Sequence, residues 1–173
     1  SGSGGMLVQT LNYFNEHCNK KPLFHLFGQE INIRTAVISR INLFMHGISQ
    51  FTIKCGDSLL EPKYLVGSAG PFWSQYDKQL RKFDVVLGHP PFSQGNWGRE
   101  DIYHDPFRRF IYGIPPQHNG DYAFLSHMIA SANENGRVGI ILPQSALIRG
   151  NAEKEIREEI ITKDLIDAII ALP

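Results

Sequence analysis

Residues 83–92, Phe-Asp-Val-Val-Leu-Gly-His-Pro-Pro-Phe, read as a short, fully buried strand (Val85, Val86, Leu87) running into a glycine, a histidine and two prolines. Proline fixes φ and lacks an N–H donor, so the strand ladder must stop at Pro90 and Pro91. The segment that follows, Ser93 to Asn119, is long, polar and aromatic with little periodicity. A buried strand that ends in a rigid turn and opens into a long loop is where α/β proteins place ligands and chemistry, although a plain Pro-Pro turn gives the same local pattern. Glu30 and Asp57 stand in comparable places, each just past an apolar run (23–27 and 51–55). Such an acid can accept hydrogen bonds from ribose hydroxyls; taken singly, it is more often a solvated turn residue. At the start of the chain, Ser1-Gly2-Ser3-Gly4-Gly5 leads straight into a helical pattern. A glycine loop there exposes backbone N–H groups and lets a ligand approach the main chain; on composition alone it equally matches a cloning linker.

The elements that position these residues follow from periodicity. Leu7, Leu11, Phe14 and Cys18 fall at helical spacing. Residues 23–27 (Leu-Phe-His-Leu-Phe) form a strand ending in Gly28-Gln29-Glu30-Ile31-Asn32. Asn32 is a good N-cap for a helix whose apolar stripe is Val37, Ile41, Phe44 and Ile48, with Gly47 at its end. Phe51, Ile53 and Cys55 alternate as a half-buried strand closed by Gly56-Asp57-Ser58. Residues 61–82 are a connection in which Phe72, Tyr76 and Leu80 could form one helix face. Asp121 caps a helix burying Tyr122, Leu125, Met128, Ile129 and Ala132 and ending at Asn135-Gly136. Residues 138–142 make a strand stopped by Pro143. Asn151 opens a charged helix with Ile156 and Ile160 inward and a Glu153–Arg157 pair outside. Residues 165–171 form a last strand. Strands alternating with helices imply parallel crossovers and a doubly wound sheet, so Glu30, Asp57 and His89-Pro90-Pro91-Phe92 share the carboxyl edge where such sheets bind ligands.

The chain has 173 residues, about one domain, and its 17 basic residues balance 17 acidic ones. A free-standing nucleic-acid-binding domain usually carries a basic excess, so unaided DNA binding is disfavoured; DNA presented by a partner is not. Cys18 and Cys55 have no metal-ligand or disulfide-framework spacing and read as buried thiols of a reducing compartment, a bacterial or archaeal cytosol. The histidines show no ligand spacing either, so no metal site is expected. Nothing resembles a membrane span or a signal peptide. Trp97 and the loop tyrosines could contact DNA or a partner, or fold back onto the protein. Arg99, Arg108 and Arg109 read as solvated loop charges.

Taken in order, these motifs resemble the adenine-specific DNA methyltransferases, most closely the modification subunit of type I restriction systems. The matching pieces are Gly2-Ser3-Gly4-Gly5-Met6-Leu7, Gly28-Gln29-Glu30-Ile31-Asn32, His46-Gly47-Ile48, Gly56-Asp57-Ser58-Leu59, Phe83-Asp84-Val85-Val86, Pro90-Pro91-Phe92-Ser93 and Asp121-Tyr122-Ala123-Phe124. Gly136-Arg137, Leu142-Pro143, Arg149-Gly150 and the stretch from Leu165 to Pro173 continue the series. The resemblance implies an incomplete methyltransferase fold of the Rossmann-like kind and S-adenosylmethionine as cofactor. Gly2 and Gly4 would lie against its amino-acid end, Glu30 would hold the ribose hydroxyls, Ile31 would pack on the adenine, and Asp57, followed by Ser58, would accept the exocyclic amine. It also implies a flipped adenine in DNA as substrate, and a specificity subunit and a restriction subunit as partners.

The family motif is Asn-Pro-Pro-Phe (or Tyr). The flipped base stacks on the aromatic ring, and the Asn oxygen and the first proline's carbonyl accept the amine hydrogens. Here Pro90, Pro91 and Phe92 are intact, but His89 stands at the Asn position. A neutral imidazole offers one acceptor and a protonated one none, so weak or absent methyl transfer is expected. The family's first strand, last strand and flanking helical regions have no counterpart here, so the chain reads as a fragment, residues 1–173 being part of the catalytic domain with loop 93–120 as a contact loop for the target base, DNA or a partner. An inactive remnant serving as a scaffold is the alternative. A dinucleotide-binding oxidoreductase fits less well, because Pro90-Pro91-Phe92 has no role in one.

Overall fold

Helix α1 (Gly5–His17) starts at the glycine loop and buries Val8, with Leu7 and Leu11 packed beside it. Asn32 caps α2 (Ile33–Met45) as expected: its side-chain oxygen accepts the N–H groups of Arg34 and Thr35 at 2.9 and 3.3 Å. Gly47, at φ +72°, turns the chain out of that helix and donates to the Phe44 carbonyl. The computed structural model describes residues 1–17, 24–67, 79–102 and 104–172, which form two compact units, Ser1–Tyr64 and Leu65–Pro173. Cys18, Leu23, Phe72, Tyr76 and Tyr103, to which the sequence assigned places, lie outside the described residues.

In the first unit β1 (Leu26–Glu30) and β2 (Phe51–Cys55) pair in parallel, from Leu26 opposite Phe51 to Glu30 opposite Cys55. The expected strand is thus displaced toward Glu30, which becomes its last residue. The core is Val8, Leu26, Ala36, Leu43, Ile48 and Ile53. One correction concerns α2. Of the expected stripe only Ile48 is buried; Val37, Ile41 and Phe44 are exposed, the last by 73%. The covered face is Ala36, Ser39 and Leu43. Two small residues let the helix approach the strands closely, and Arg40 fastens it by donating to the Ile53 carbonyl at 2.6 Å.

The second unit holds a short antiparallel pair, β3 (Leu65–Val66) with β4 (Gln79–Leu80), and a parallel pair, β5 (Phe83–Gly88) with β6 (Ala132–Ile140). Helix α3 (Asp121–Ser131) precedes β6, and α4 (Ala152–Thr162) follows it. Helix α3 therefore ends before Asn135-Gly136, contrary to expectation. Register jumps from Phe83 opposite Ala132 to Val85 opposite Arg137, so residues 133–136 bulge out of the ladder. Gly136 is required there, since a Cβ would meet the Phe83 carbonyl oxygen at 2.9 Å. Strand β5 is also less buried than expected: Val85 and Leu87 are exposed. Gly88 lies under the Met128 sulfur of α3, so the helix covers the Val86–Gly88 face and not the Val85–Leu87 face.

Residues 165–171 form no strand; the run is exposed. An apolar run becomes a strand only beside a neighbour offering backbone groups to pair with. Asp121 does not cap α3 but is its first residue, with its own N–H taken by the Asn119 side chain at 2.9 Å. Glu153 is buried and paired with Arg149 rather than displayed beside Arg157, whose guanidinium donates inward to the carbonyls of Ala146 and Arg149. Ile156 and Ile160 are buried as expected, against Tyr122 and Ala146.

The long loop folds back onto the second unit. Trp97 is buried, donates its indole N–H to the Pro116 carbonyl at 2.9 Å and packs by Phe110. Arg109, read from sequence as a solvated charge, is buried too, its Nε and Nη2 both donating to Asp105 Oδ1 at 3.0 and 2.9 Å. Beside it, burial and the Arg109 guanidinium hold the His127 imidazole down to about 3, against an opposing pull from Asp105.

Two outcomes follow. In the unfolded chain His127 takes up a proton near 6.5, and in the folded one only near 3. Below 6.5 the unfolded state binds more protons, so stability falls on acidification toward 3, by at most ~1.4 kcal/mol per pH unit from this group. Urea midpoints across that window should flatten in His127→Gln, and parallel curves for both proteins would refute the assignment. For α2, Leu43→Ala should cost about 2–5 kcal/mol and Phe44→Lys within about 0.5 kcal/mol, read by denaturant unfolding. The reverse order would restore the stripe expected from sequence.

Candidate functional site

The first unit gathers Gly2, Gly4, Glu30, Ile31 and Asp57 at the carboxyl ends of β1 and β2. Gly2 and Gly4 both have positive φ, +57° and +84°. At Gly4 an added Cβ would meet the Ser39 hydroxyl at 2.7 Å, so α2 and the glycine loop touch through the smallest side chains available. Asn42 of the same helix donates to the Ser3 carbonyl at 3.0 Å and fixes the loop from the other side. Neither Ser39 nor Asn42 was singled out from sequence. Nothing in a periodic pattern marks a helix residue that contacts a loop in this way.

Glu30 is the hub of this edge. Its Oε2 accepts the Gly2 N–H at 2.8 Å and lies 3.4 Å from the Ser1 amino group; its Oε1 accepts the Asn32 N–H at 3.1 Å. Desolvation raises its pKa, the N–H groups of Asn32 and Gly2 lead the opposing contributions, and the net shift is downward. Glu30 is thus an ionised acceptor. Ile31 beside it exposes 64% of its surface, an apolar plate next to a carboxylate. Asp57 follows β2 across Gly56, whose N–H donates to the Glu30 carbonyl at 3.0 Å. Its Oδ1 accepts from the N–H groups of Leu59 and Leu60 at 2.7 and 3.0 Å, closing a turn that includes Ser58. The 61–64 segment is tied down by Gln29, which donates to the Glu61 carbonyl and accepts from Lys63 N–H, and by Tyr64, whose hydroxyl reaches the Gly28 and Thr52 carbonyls.

The second unit carries the Pro-Pro turn. The Ile141 N–H donates to the Gly88 carbonyl at 3.0 Å, so strand pairing holds up to the residue before His89. Pro90 is buried while His89, Pro91 and Phe92 are exposed. The His89 and Phe92 rings tilt toward each other with centroids 5.2 Å apart. Ser93 then adopts φ +52°, unusual without glycine, and donates its N–H to the Asp121 carboxylate at 2.8 Å. Asp121 is completely buried and also accepts from Arg149 at 2.5 Å; Arg149 in turn donates to Glu153 and to the Ser145 hydroxyl, both at 2.6 Å. Burial would lower the Arg149 pKa, but its bonds to Glu153 and Asp121 outweigh this and raise it. Asp121 and Arg149 were legible only as motif letters, not as a pair holding the turn. Among the described residues no group of His, Cys, Asp and Glu could hold a metal ion, and no helix is long and apolar enough to cross a membrane.

Chemically, the first edge offers carboxylate acceptors, loop N–H groups and an apolar plate; the turn offers an exposed aromatic ring beside an imidazole. A family profile described as N-6 DNA Methylase matches residues 1–173. The chain is 34% identical to the type I restriction enzyme MjaVII methylase subunit of Methanocaldococcus jannaschii, over 99% of this chain and 28% of that protein. It is 32% identical to the HindI methylase subunit of Haemophilus influenzae, over 99% of this chain and 36% of that one. In structure it resembles the type I restriction-modification methyltransferase subunit from Streptococcus thermophilus, with TM-score 0.75 and 30% identity, covering 96% of this chain and 33% of that one. The chain thus spans about a third of the length of these relatives. Its helices and parallel strand pairs make up an incomplete methyltransferase fold. Matched from end to end, the chain belongs to the N-6 DNA methylase family.

Proposed function

We propose that residues 1–173 are part of the catalytic domain of a type I restriction-modification DNA methyltransferase, acting on the N6 amine of adenine with S-adenosylmethionine in the cytoplasm. The observation that carries this reading is the exposed Phe92 ring on a Pro-Pro turn leaving a parallel strand, in a chain that matches the family throughout.

The first unit's residues fit the cofactor by their chemistry. Gly2 is exposed with open space where a Cβ would stand, Gly4 lets its loop close on α2, and Glu30, already ionised, accepts ribose hydroxyls. Ile31 packs on the adenine ring, and Asp57 accepts its amine through Oδ2, Oδ1 being held by the turn with Ser58. When bound, S-adenosylmethionine supplies an electrophilic methyl group. This chain's part in transfer is to hold the target base. Phe92 stacks on the flipped adenine, and the Pro90 carbonyl accepts one amine hydrogen, directing the nitrogen lone pair outward. His89 replaces the amide that would accept the second hydrogen. A neutral imidazole supplies one nitrogen acceptor from a bulkier ring, and a protonated one opposes the positive charge growing on the amine, so transfer is slow. Balanced charge favours delivery of DNA by a specificity subunit over unaided capture, with a restriction subunit completing the complex. Loop 93–120 presents Arg108 and Ile111 outward to DNA or to a partner. His89 also supports a second reading, an inactive scaffold that keeps the fold.

Titration with labelled S-adenosylmethionine separates the two. Glu30→Ala and Asp57→Ala should each weaken binding by about tenfold or more, as expected for charged hydrogen-bond acceptors. Binding that ignores both carboxylates removes the enzyme reading. In the assembled complex, His89→Asn should raise the methylation rate by about 10²–10³-fold. A normal rate with His89 in place would show that the imidazole substitutes fully.

A further inference from the structure

We propose that Asp121 is a positioning residue for the Phe92 ring, acting through the Ser93 N–H and itself held by Arg149. The proposal rests on the methyltransferase reading for its functional consequence, but its geometry stands alone. Ser93 directly follows the stacking platform and sits at φ +52°, a conformation that a serine adopts only when its surroundings fix it. What fixes it is on both sides. Asp121 Oδ1 takes its N–H at 2.8 Å, and two backbone bonds, Gly120 N–H to the Gln94 carbonyl at 2.8 Å and Asn96 N–H to the Gln117 carbonyl at 3.0 Å, pin the chain just after it. The proline rings of Pro90 and Pro91 fix φ on the other side of Phe92. Between these constraints the direction of the Phe92 ring depends on whether Ser93 keeps its positive φ.

Asp121 can do this because it cannot move. It is the first residue of α3, where the helix dipole favours a negative charge. Its other oxygen is bound at 2.5 Å by Arg149, whose Nε and Nη1 donate to Glu153 and Ser145. A fully buried carboxylate with a guanidinium on one oxygen and a backbone N–H on the other is an acceptor of fixed position. Without it, Ser93 can relax to negative φ, and the platform turns with it. The base-holding turn on β5 is thus set by α3 and by the Arg149 segment after β6, not by His89 to Phe92 alone.

The test uses the full-length subunit, alone for spectroscopy and in its complex for kinetics. In Asp121→Asn, which keeps size but not charge, the Ser93 amide should lose its carboxylate-bonded downfield shift and exchange about tenfold faster or more. Arg149→Gln should do the same more weakly, and Asp121→Glu should not restore the shift. In the complex, Asp121→Asn should lower kcat by about 10²-fold, the scale of an ångström-level misplacement, while the KM for S-adenosylmethionine stays within about twofold. A purely structural role would lower kcat only through the folded fraction, so that kcat normalised to the folded fraction, read by circular dichroism, would stay at its native value. An unchanged Ser93 amide in Asp121→Asn, or an unchanged kcat beside a shifted amide, overturns the proposal. If neither the native complex nor His89→Asn transfers methyl groups, the methyltransferase reading fails. The positioning role is then judged on the Ser93 amide and on the Phe92 ring resonances, which should shift in Asp121→Asn and not in Glu158→Gln, an exposed control.

Discussion

Where a strand ends, the chain leaves the hydrogen-bond ladder, and its N–H groups need acceptors other than a neighbouring strand. In this protein carboxylates supply them. Glu30 takes the N–H groups of Gly2 and Asn32, Asp57 those of Leu59 and Leu60, and Asp121 that of Ser93. Within the long loop Asp105 takes that of Arg109. Each carboxylate sets a loop conformation that the backbone would not hold by itself, and each of these loops except that of Asp105 borders residues of the candidate site. Glu30 and Asp57 keep acceptor capacity beyond the bonds that shape their loops, Asp57 on the oxygen its turn does not use, whereas both oxygens of the buried Asp121 are taken.

The charge environment of these carboxylates differs between the two units. Glu30 is half-buried and meets N–H donors, which keep it ionised with acceptor capacity to spare. Asp121 is fully buried and relies on a guanidinium; Arg149 serves it and the buried Glu153 together. Removing one member of such a group leaves the others desolvated and unpaired, which costs more than the group contributes when intact. The first arrangement suits a site that exchanges hydrogen bonds with a ligand. The second suits one that stays put.

Packing follows a similar economy of size. Helix α2 joins the core of the β1–β2 pair through Ala36 and Leu43, and Gly4 meets Ser39 through bare backbone. Gly88 meets the Met128 sulfur in the second unit. Small residues at these crossings let elements approach closely, and they leave larger apolar side chains such as Ile41, Phe44, Val85 and Leu87 on the outer faces. Within each unit these tight contacts lie beside candidate residues, and larger apolar side chains of the same elements stay exposed.

The sequence by itself determined the alternation of helices and strands, the Asn32 cap, the inward Ile156 and Ile160, and the strand-end positions of Glu30 and His89 to Phe92. These are local matters: capping, periodicity and the missing N–H of proline act over a few residues and can be read along the chain. It also carried enough ordered motifs to resemble the family to which the chain belongs. Only the tertiary structure decided which of two apolar faces α2 turns inward, that α3 gives way to β6 before Asn135, that residues 165–171 stay unpaired, and that Trp97 and Arg109 fold inward. The same holds for Glu153, which periodicity put outside and Arg149 holds inside, and for the bond from Ser93 to Asp121 across 28 positions. The physical reason is common to all of these. Periodicity reports that a face or a charge exists, whereas its partner is chosen by contacts between residues far apart in sequence, which no local pattern encodes.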